Sequence, residues 1–363
     1  MEGSNVSSYF SSLSIRRRSL LKAALSGTAG VSLASALAAC GGSATPTGVT
    51  GEGSFPSHPQ WNFVFVNHVT TNPFFVPTQY GIQDACALVG CKYQWTGSAN
   101  SIVTEMVDAM NAAIAAKADG IAVAIIDPTA FNDPVERALS AGIPVVAYNA
   151  DAPASSKNAR LAYIGQDLYL SGLGMGQHIA SLIPSGDVVG FIATPGSLNI
   201  QPRINGAHDA IKQSGLPINF TEVATGAAVN DELSHIEAYY LGHQNLKGMF
   251  AVDAGSTQGT GQIMEKYGLV AKGVHAGGYD LLPVTLQEVQ KGNLDFTIDQ
   301  QPYLQGFYPV MQLFLYKLSG GLMAPSDTNT GLLFVTKSTV GPYLSTQTRF
   351  EGSSSQQKVV TPS

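Results

Sequence analysis

From residue 61 onward, short apolar runs alternate with stretches whose apolar residues recur every three or four positions. The runs are FVFV (63–66), KYQW (92–95), GIAVAII (120–126), IPVVAY (143–148), DVVGFIA (187–193), INFTEVA (218–224), LKGMFAV (246–252), GVHAGGY (273–279) and FTI (296–298). Between them, Ile102, Met106, Val107, Met110 and Ile114, or Leu233, Ile236, Tyr240 and Leu241, share one helical face. Strands separated by helices of this length need right-handed crossovers, which predicts α/β architecture with parallel sheets covered on both faces. In such sheets ligands bind beyond the carboxyl ends of the strands. The residues that follow each run are therefore where chemistry is expected.

Those positions carry a consistent set of groups. Asn72, Phe74 and Phe75 follow the first run, Asp127 the third, and Asn149 and Asp151 the fourth; Arg203, Asp253, Asp280 and Gln300 lie at the equivalent places in the second half. Hydroxyl-rich ligands need both donors and acceptors, and carbohydrate C–H faces stack on aromatic rings, so this mixture of amides, carboxylates, one guanidinium and two rings suits a sugar. Each position alone also fits a structural role. Asp and Asn at strand ends cap turns and helices, Arg203 could form a surface ion pair, and the Phe pair could pack in the core.

Composition narrows the field. The 363 residues are 44% hydrophobic and 12% charged, which is globular in class and long enough for two domains. With 19 basic and 25 acidic residues the net charge is −6. Arg16, Arg17, Arg18 and Lys22 all fall in the first 39 positions, so the remainder is more acidic still and repels phosphate backbones. Nucleic acid is not an expected partner.

The N-terminus reads as an address. Arg17-Arg18-Ser19-Leu20-Leu21-Lys22 resembles a twin-arginine export motif, and Leu37-Ala38-Ala39-Cys40 resembles a lipoprotein box in which Cys40 takes the lipid. The alternative, a membrane anchor, needs about 20 well-packed apolar residues, and this run is shorter and more polar. On this reading 1–39 is an export signal and 40–60, rich in Gly, Ser, Thr and Pro, is a flexible tether. Two cysteines remain, Cys86 and Cys91, which either pair outside the cytoplasm or stay as buried thiols.

From about residue 61 to 340 the chain resembles the type I periplasmic binding proteins for monosaccharides, closest in pattern to the ribose-binding group that feeds ABC importers. The resemblance is carried by Asn72-Pro73-Phe74-Phe75, Gly142-Ile143-Pro144-Val145-Val146 with Asn149-Ala150-Asp151, and Gly165-Gln166-Asp167. It continues through Pro195-Gly196 with Arg203-Ile204-Asn205-Gly206, Met249-Phe250-Ala251-Val252-Asp253, Gly278-Tyr279-Asp280 and Thr297-Ile298-Asp299-Gln300-Gln301-Pro302. It implies stacking by Phe74 and Phe75, a hydroxyl contact from Asn72, and polar contacts from Arg203, Asp253, Asp280 and Gln300. Asn149 stands where the ribose group has Asp followed by Arg, and Ala150 replaces that Arg, so Asp151 is the residue left to supply a carboxylate. Asp253 replaces an Asn, and no aromatic stands near Ala227, where the family has one.

The resemblance further implies two doubly wound parallel-sheet lobes joined by a three-crossing hinge, with lobe one at 61–164 plus 301–327 and lobe two at 165–300 plus 328–345. The tail 346–363, with its Ser and Gln run, is expected to be disordered. Function is then capture of a monosaccharide or polyol by a monomeric extracytoplasmic lipoprotein, with delivery to ABC permease subunits; the alternatives are presentation to a chemoreceptor or kinase, or binding of a non-sugar small solute. No cofactor, metal or catalytic residue is expected: the seven His residues show no HExxH spacing and no GxSxG occurs. His68, near a strand end, could contact ligand, although a satisfied loop histidine is the ordinary reading of such a position. A repressor on this fold would carry an N-terminal DNA-binding helix pair where this chain has its export segment.

Overall fold

The computed structural model describes residues 55–345. The export segment, Cys40, the tether as far as residue 54 and the tail from 346 lie outside the described residues. Among the described residues no helix is long and apolar enough to cross a membrane.

Two six-stranded sheets organise the described residues. The first contains β1 (Asn62–Asn67), β2 (Lys92–Gly97), β3 (Gly120–Val123), β4 (Val145–Tyr148), β5 (Tyr163–Gly165) and, late in the chain, β11 (Thr328–Asn329), in the order β11-β5-β4-β3-β1-β2. Its connections are α1 (Val76–Val89), α2 (Val103–Ala115) and α3 (Asn132–Ser140). The second contains β6 (Gly186–Ile192), β7 (Ile218–Ala224), β8 (Gly248–Ala251), β9 (His275–Tyr279), β10 (Phe296–Asp299) and β12 (Leu333–Thr336), in the order β12-β10-β9-β8-β6-β7. Around it lie α4 (Leu168–Leu182), α5 (Gln201–Ser214), α6 (Val229–Gly242), α7 (Ala254–Lys266), α8 (Pro283–Lys291) and the short α10 (Gly341–Ser345). Helix α9 (Pro302–Leu318) returns to pack on α1.

The chain passes between the sheets after β5, after β10 and between β11 and β12. Among the described residues all strand pairings are parallel except β10 with β12, which runs antiparallel at the edge. Thr328 and Asn329 pair with Ile164 and Gly165, so they belong to the first sheet, whereas the resemblance implies a place for them in the second lobe.

Central strands β3, β4 and β8 are buried along their whole length, which is why they read as unbroken apolar runs. Edge strands β2 and β7 alternate polar and apolar because one face meets water. In the second sheet, Val189, Phe191, Met249 and Ala251 enter one core cluster, while their neighbours Val188, Ile192, Phe250 and Val252 enter the cluster on the opposite face. Burial from both sides fixes the register of the strands, and with it the places where their carboxyl ends stop.

Both remaining cysteines are free thiols buried in the first core, the second of the two readings left open. Burial pushes each up to about 12, which suppresses the reactive thiolate.

Candidate functional site

At the end of β1, Asn67 fixes the loop that follows. Its Oδ1 accepts from the Val69 amide at 2.8 Å and its Nδ2 donates to the Tyr148 hydroxyl at 2.8 Å. Asn72 then caps a single 3-10 turn, Pro73–Phe75, by accepting from the Phe74 amide at 2.9 Å. Proline at the start of that turn presets its backbone. The two rings meet edge to face, 4.7 Å apart with planes at 82°. Phe75 is 1% exposed, wedged between His68 and Trp95, whereas Phe74 at 8% keeps surface on the cleft. Perpendicular planes mean that one ligand face can lie flat on only one of these rings.

Across the cleft, the second sheet supplies the charges. Arg203 lies in the first turn of α5, which approaches α4 closely: a Cβ on Gly172 would come within 2.2 Å of the Arg203 carbonyl oxygen, so glycine is required there. The buried guanidinium donates to the Val252 carbonyl (2.8 Å) and Gln166 Oε1 (3.0 Å), sits 4.1 Å from the Tyr279 ring centre, and leaves Nε without a partner. Asp253 caps α7, accepting from the Ser256 amide (2.9 Å) and from the Ala193 amide (3.0 Å). Asn149 and Asp280 both hold left-handed backbone, φ 63° and 74°. These are residue types that tolerate that region, and such strain gathers at binding sites.

A hydrogen-bonded chain joins the two sides through the hinge. Asn149 Nδ2 donates to Gln305 Oε1 (3.0 Å), Gln305 Nε2 donates to Gln300 Oε1 (3.1 Å), and Gln300 Nε2 donates to Asp280 Oδ1 (2.7 Å). Burial pushes Asp280 up to about 7 despite the opposing pull of Arg203 and Gln300. Burial also raises Asp253, against its amide donors and Arg203. His68 is driven down to about 3 by burial and is neutral.

The structure brings Asn72, Phe74, Phe75, Asn149, Arg203, Asp253, Asp280 and Gln300 around one cavity. That cavity has a volume of about 60 Å³.

Asp151 is the exception. The left-handed turn at Asn149 buries Ala150, and Asp151 falls outside the cavity in a two-pronged ion pair with Arg160. Its carboxylate is engaged in a different depression, beside Tyr163 and Asn329. Asp127 also stays out of the cavity, accepting from the Thr129 and Ala130 amides as a turn residue.

Sequence reasoning missed Ser101, Thr194, Asn199 and Glu232, all of which line the cavity. Ser101 and Asn199 lie in loops past strand ends and could have been found by reading those loops further. Glu232 lies in the first turn of α6, where an acid reads as ordinary helix capping. His68 also lines the cavity, with Nδ1 unpartnered, so it is not the satisfied loop histidine of the ordinary reading. Ala227 occupies the rim where the resemblance would place a ring.

A family model for the periplasmic binding protein domain matches residues 63–320. The chain belongs to that family. Its location is accordingly extracytoplasmic. It is 54% identical over 318 residues to the xylose/arabinose-binding protein XylF of Sulfolobus acidocaldarius, a match covering 84% of this chain and 78% of the relative. Among solved structures it is similar to an ABC transporter solute-binding protein from Burkholderia graminis in complex with D-arabinose, at 25% identity and TM-score 0.73, covering 80% of this chain and 99% of that one. A carbohydrate transporter from Acidothermus cellulolyticus in complex with myo-inositol matches at 26% identity and TM-score 0.70, covering 79% and 97%. The matched family and the XylF relative are named for binding, and the α/β two-lobe fold is theirs.

Proposed function

We propose that this protein captures one monosaccharide or related polyol between its lobes and delivers it to an ABC importer. The observation that carries this reading is the cavity itself, where aromatic surface from one sheet faces a guanidinium and carboxylates from the other. Relatives named for xylose and arabinose, or solved with D-arabinose and myo-inositol, support the same ligand class. In this reading Phe74 supplies the stacking face, Phe75 backs it, and Asn72, Asn149, Arg203, Asp253, Asp280 and Gln300 bond to hydroxyls. Residues 61–165 and 301–329 move as one body and residues 166–300 and 330–345 as the other, about the three crossings.

Ligand favours closure through its differential affinity for the closed state. A hydroxyl of the wrong epimer leaves a buried partner unpaired, which is the basis of selection. The test is a thermal-shift screen against pentoses, hexoses and polyols. A true ligand at 100 times its dissociation constant adds about 2.7 kcal/mol, whereas an amino acid or nucleoside that alone shifts the transition would reassign the class. In the same reading Cys40 carries a lipid that holds the chain at the membrane; Cys40→Ala is expected to release it from the membrane fraction, with unchanged retention counting against it.

A further inference from the structure

We propose that Glu232 is a specificity-determining contact of the cleft, presenting a carboxylic acid O–H to an acceptor oxygen of the bound sugar while neighbouring Asp253 remains a carboxylate. This rests on the sugar-capture reading and adds to it the polarity of one edge of the site.

Geometry separates the two acids. Asp253 has two backbone N–H donors, from Ser256 and Ala193, which favour its charged form. Glu232 is 2% exposed and lines the same cavity, yet its Oε2 is buried with no partner. Its carboxyl lies directly on Gly255, where an added Cβ would come within 1.7 Å of Oε2 and 2.9 Å of Oε1. Glycine at that point is what lets the acid reach the start of α7.

The surrounding charges agree with this assignment. From α7 comes Asp253, from α6 itself Asp231, and both raise Glu232 after burial, carrying it to about 9. Arg203 and Asp280 share the cavity, and the guanidinium attracts both aspartates. His235, one turn along α6, spends Nδ1 on the Thr225 carbonyl, and His68 is neutral. Asp253 and Asp231 both disfavour a further negative charge on Glu232, and the proton resides there because Glu232 lacks the N–H donors that Asp253 has. A protonated carboxyl has one O–H to donate, so the ligand atom facing Glu232 is an uncharged acceptor such as a hydroxyl or ring oxygen.

The experiment is titration calorimetry with D-xylose, D-arabinose and myo-inositol on the parent and Glu232→Gln from pH 6.5 to 10.5, together with carboxyl-carbon NMR of both without ligand. In the parent, affinity falls about tenfold per pH unit above the titration of the acid, the slope that one proton requires, and binding there takes up one proton. Glu232→Gln keeps an N–H donor and binds without that fall or that uptake. Identical alkaline profiles in the two proteins overturn the proposal. So does a parent resonance, missing from the variant, that titrates in the ordinary carboxylate range. Lack of binding by all three probes to the parent at neutral pH instead overturns the sugar reading, a result the ligand-free titration keeps distinct.

Discussion

Asn199 Nδ2 and His68 Nε2 lie 3.1 Å apart across the cleft, one from the loop before α5 and the other from the loop after β1. Because His68 is neutral, Nε2 can accept the amide proton. Close by, the Leu198 amide donates to the Ile126 carbonyl at 3.0 Å, a second bond between the two halves. Both bonds tie the two halves together across the cleft. Asn199→Ala is expected to weaken sugar binding by about 0.5–1.5 kcal/mol, mostly through faster release, with the ligand-free melting temperature unchanged. Stopped-flow release rates equal to the parent's would remove this pair from the account of closure.

His68 also predicts an acid limb of stability. Its folded value, about 3, lies below its unfolded 6.5, so the unfolded chain binds the extra proton between those values. Stability from the neutral buried ring is complete above about pH 6.5 and is lost as pH falls toward 3. His68→Gln should flatten denaturant midpoints over that window; an unchanged slope would contradict the assignment.

Asp280 behaves in the opposite sense. Its folded value, about 7, exceeds its unfolded 3.8, so its contribution is complete below about pH 3.8 and is lost as pH rises through 7. The site therefore keeps a carboxyl at some cost to stability above neutrality. Asp280→Asn is expected to melt higher than the parent at pH 8, to match it near pH 4, and to lose about 1–3 kcal/mol of sugar affinity as the acceptor pattern changes. Equal melting temperatures at pH 8 would rule this out.

The neighbouring rings are predicted to part company on truncation. Phe74→Ala removes a ring that keeps surface on the cleft and should reduce affinity by about 1 kcal/mol beyond the area lost. Phe75→Ala empties a site between His68 and Trp95 and should cost about 3–5 kcal/mol of folding stability as well. Paired melting and calorimetric measurements separate the two, and equal stability losses would contradict the packing described.

Much of the fold is legible in the sequence alone. Runs such as 63–66 and 246–252 announced buried strands because both sheet faces are covered, and the rule that ligands gather past strand ends led to Asn72, Arg203, Asp253 and Asp280. Strands β5 and β11 escaped notice because three- and two-residue segments leave no periodicity. Asp151 was misplaced because counting past a strand cannot foresee a left-handed turn at Asn149. Glu232 reaches the cavity from a helix, by way of the missing side chain at Gly255, and no strand-end rule points to it. The role of Gln305, buried on α9 and bonded to both Asn149 and Gln300, likewise exists only once distant segments meet.

The central claim is that one neutral sugar or polyol is held by groups from both lobes. Titration calorimetry of the purified chain with D-xylose, D-arabinose and myo-inositol, repeated on Phe74→Ala and Arg203→Ala, tests it most directly. Saturable binding of at least one of them at one site per chain, weakened by truncation on either side of the cleft, is the expected result. Failure of all three to bind the parent, or undiminished binding by both variants, would contradict it.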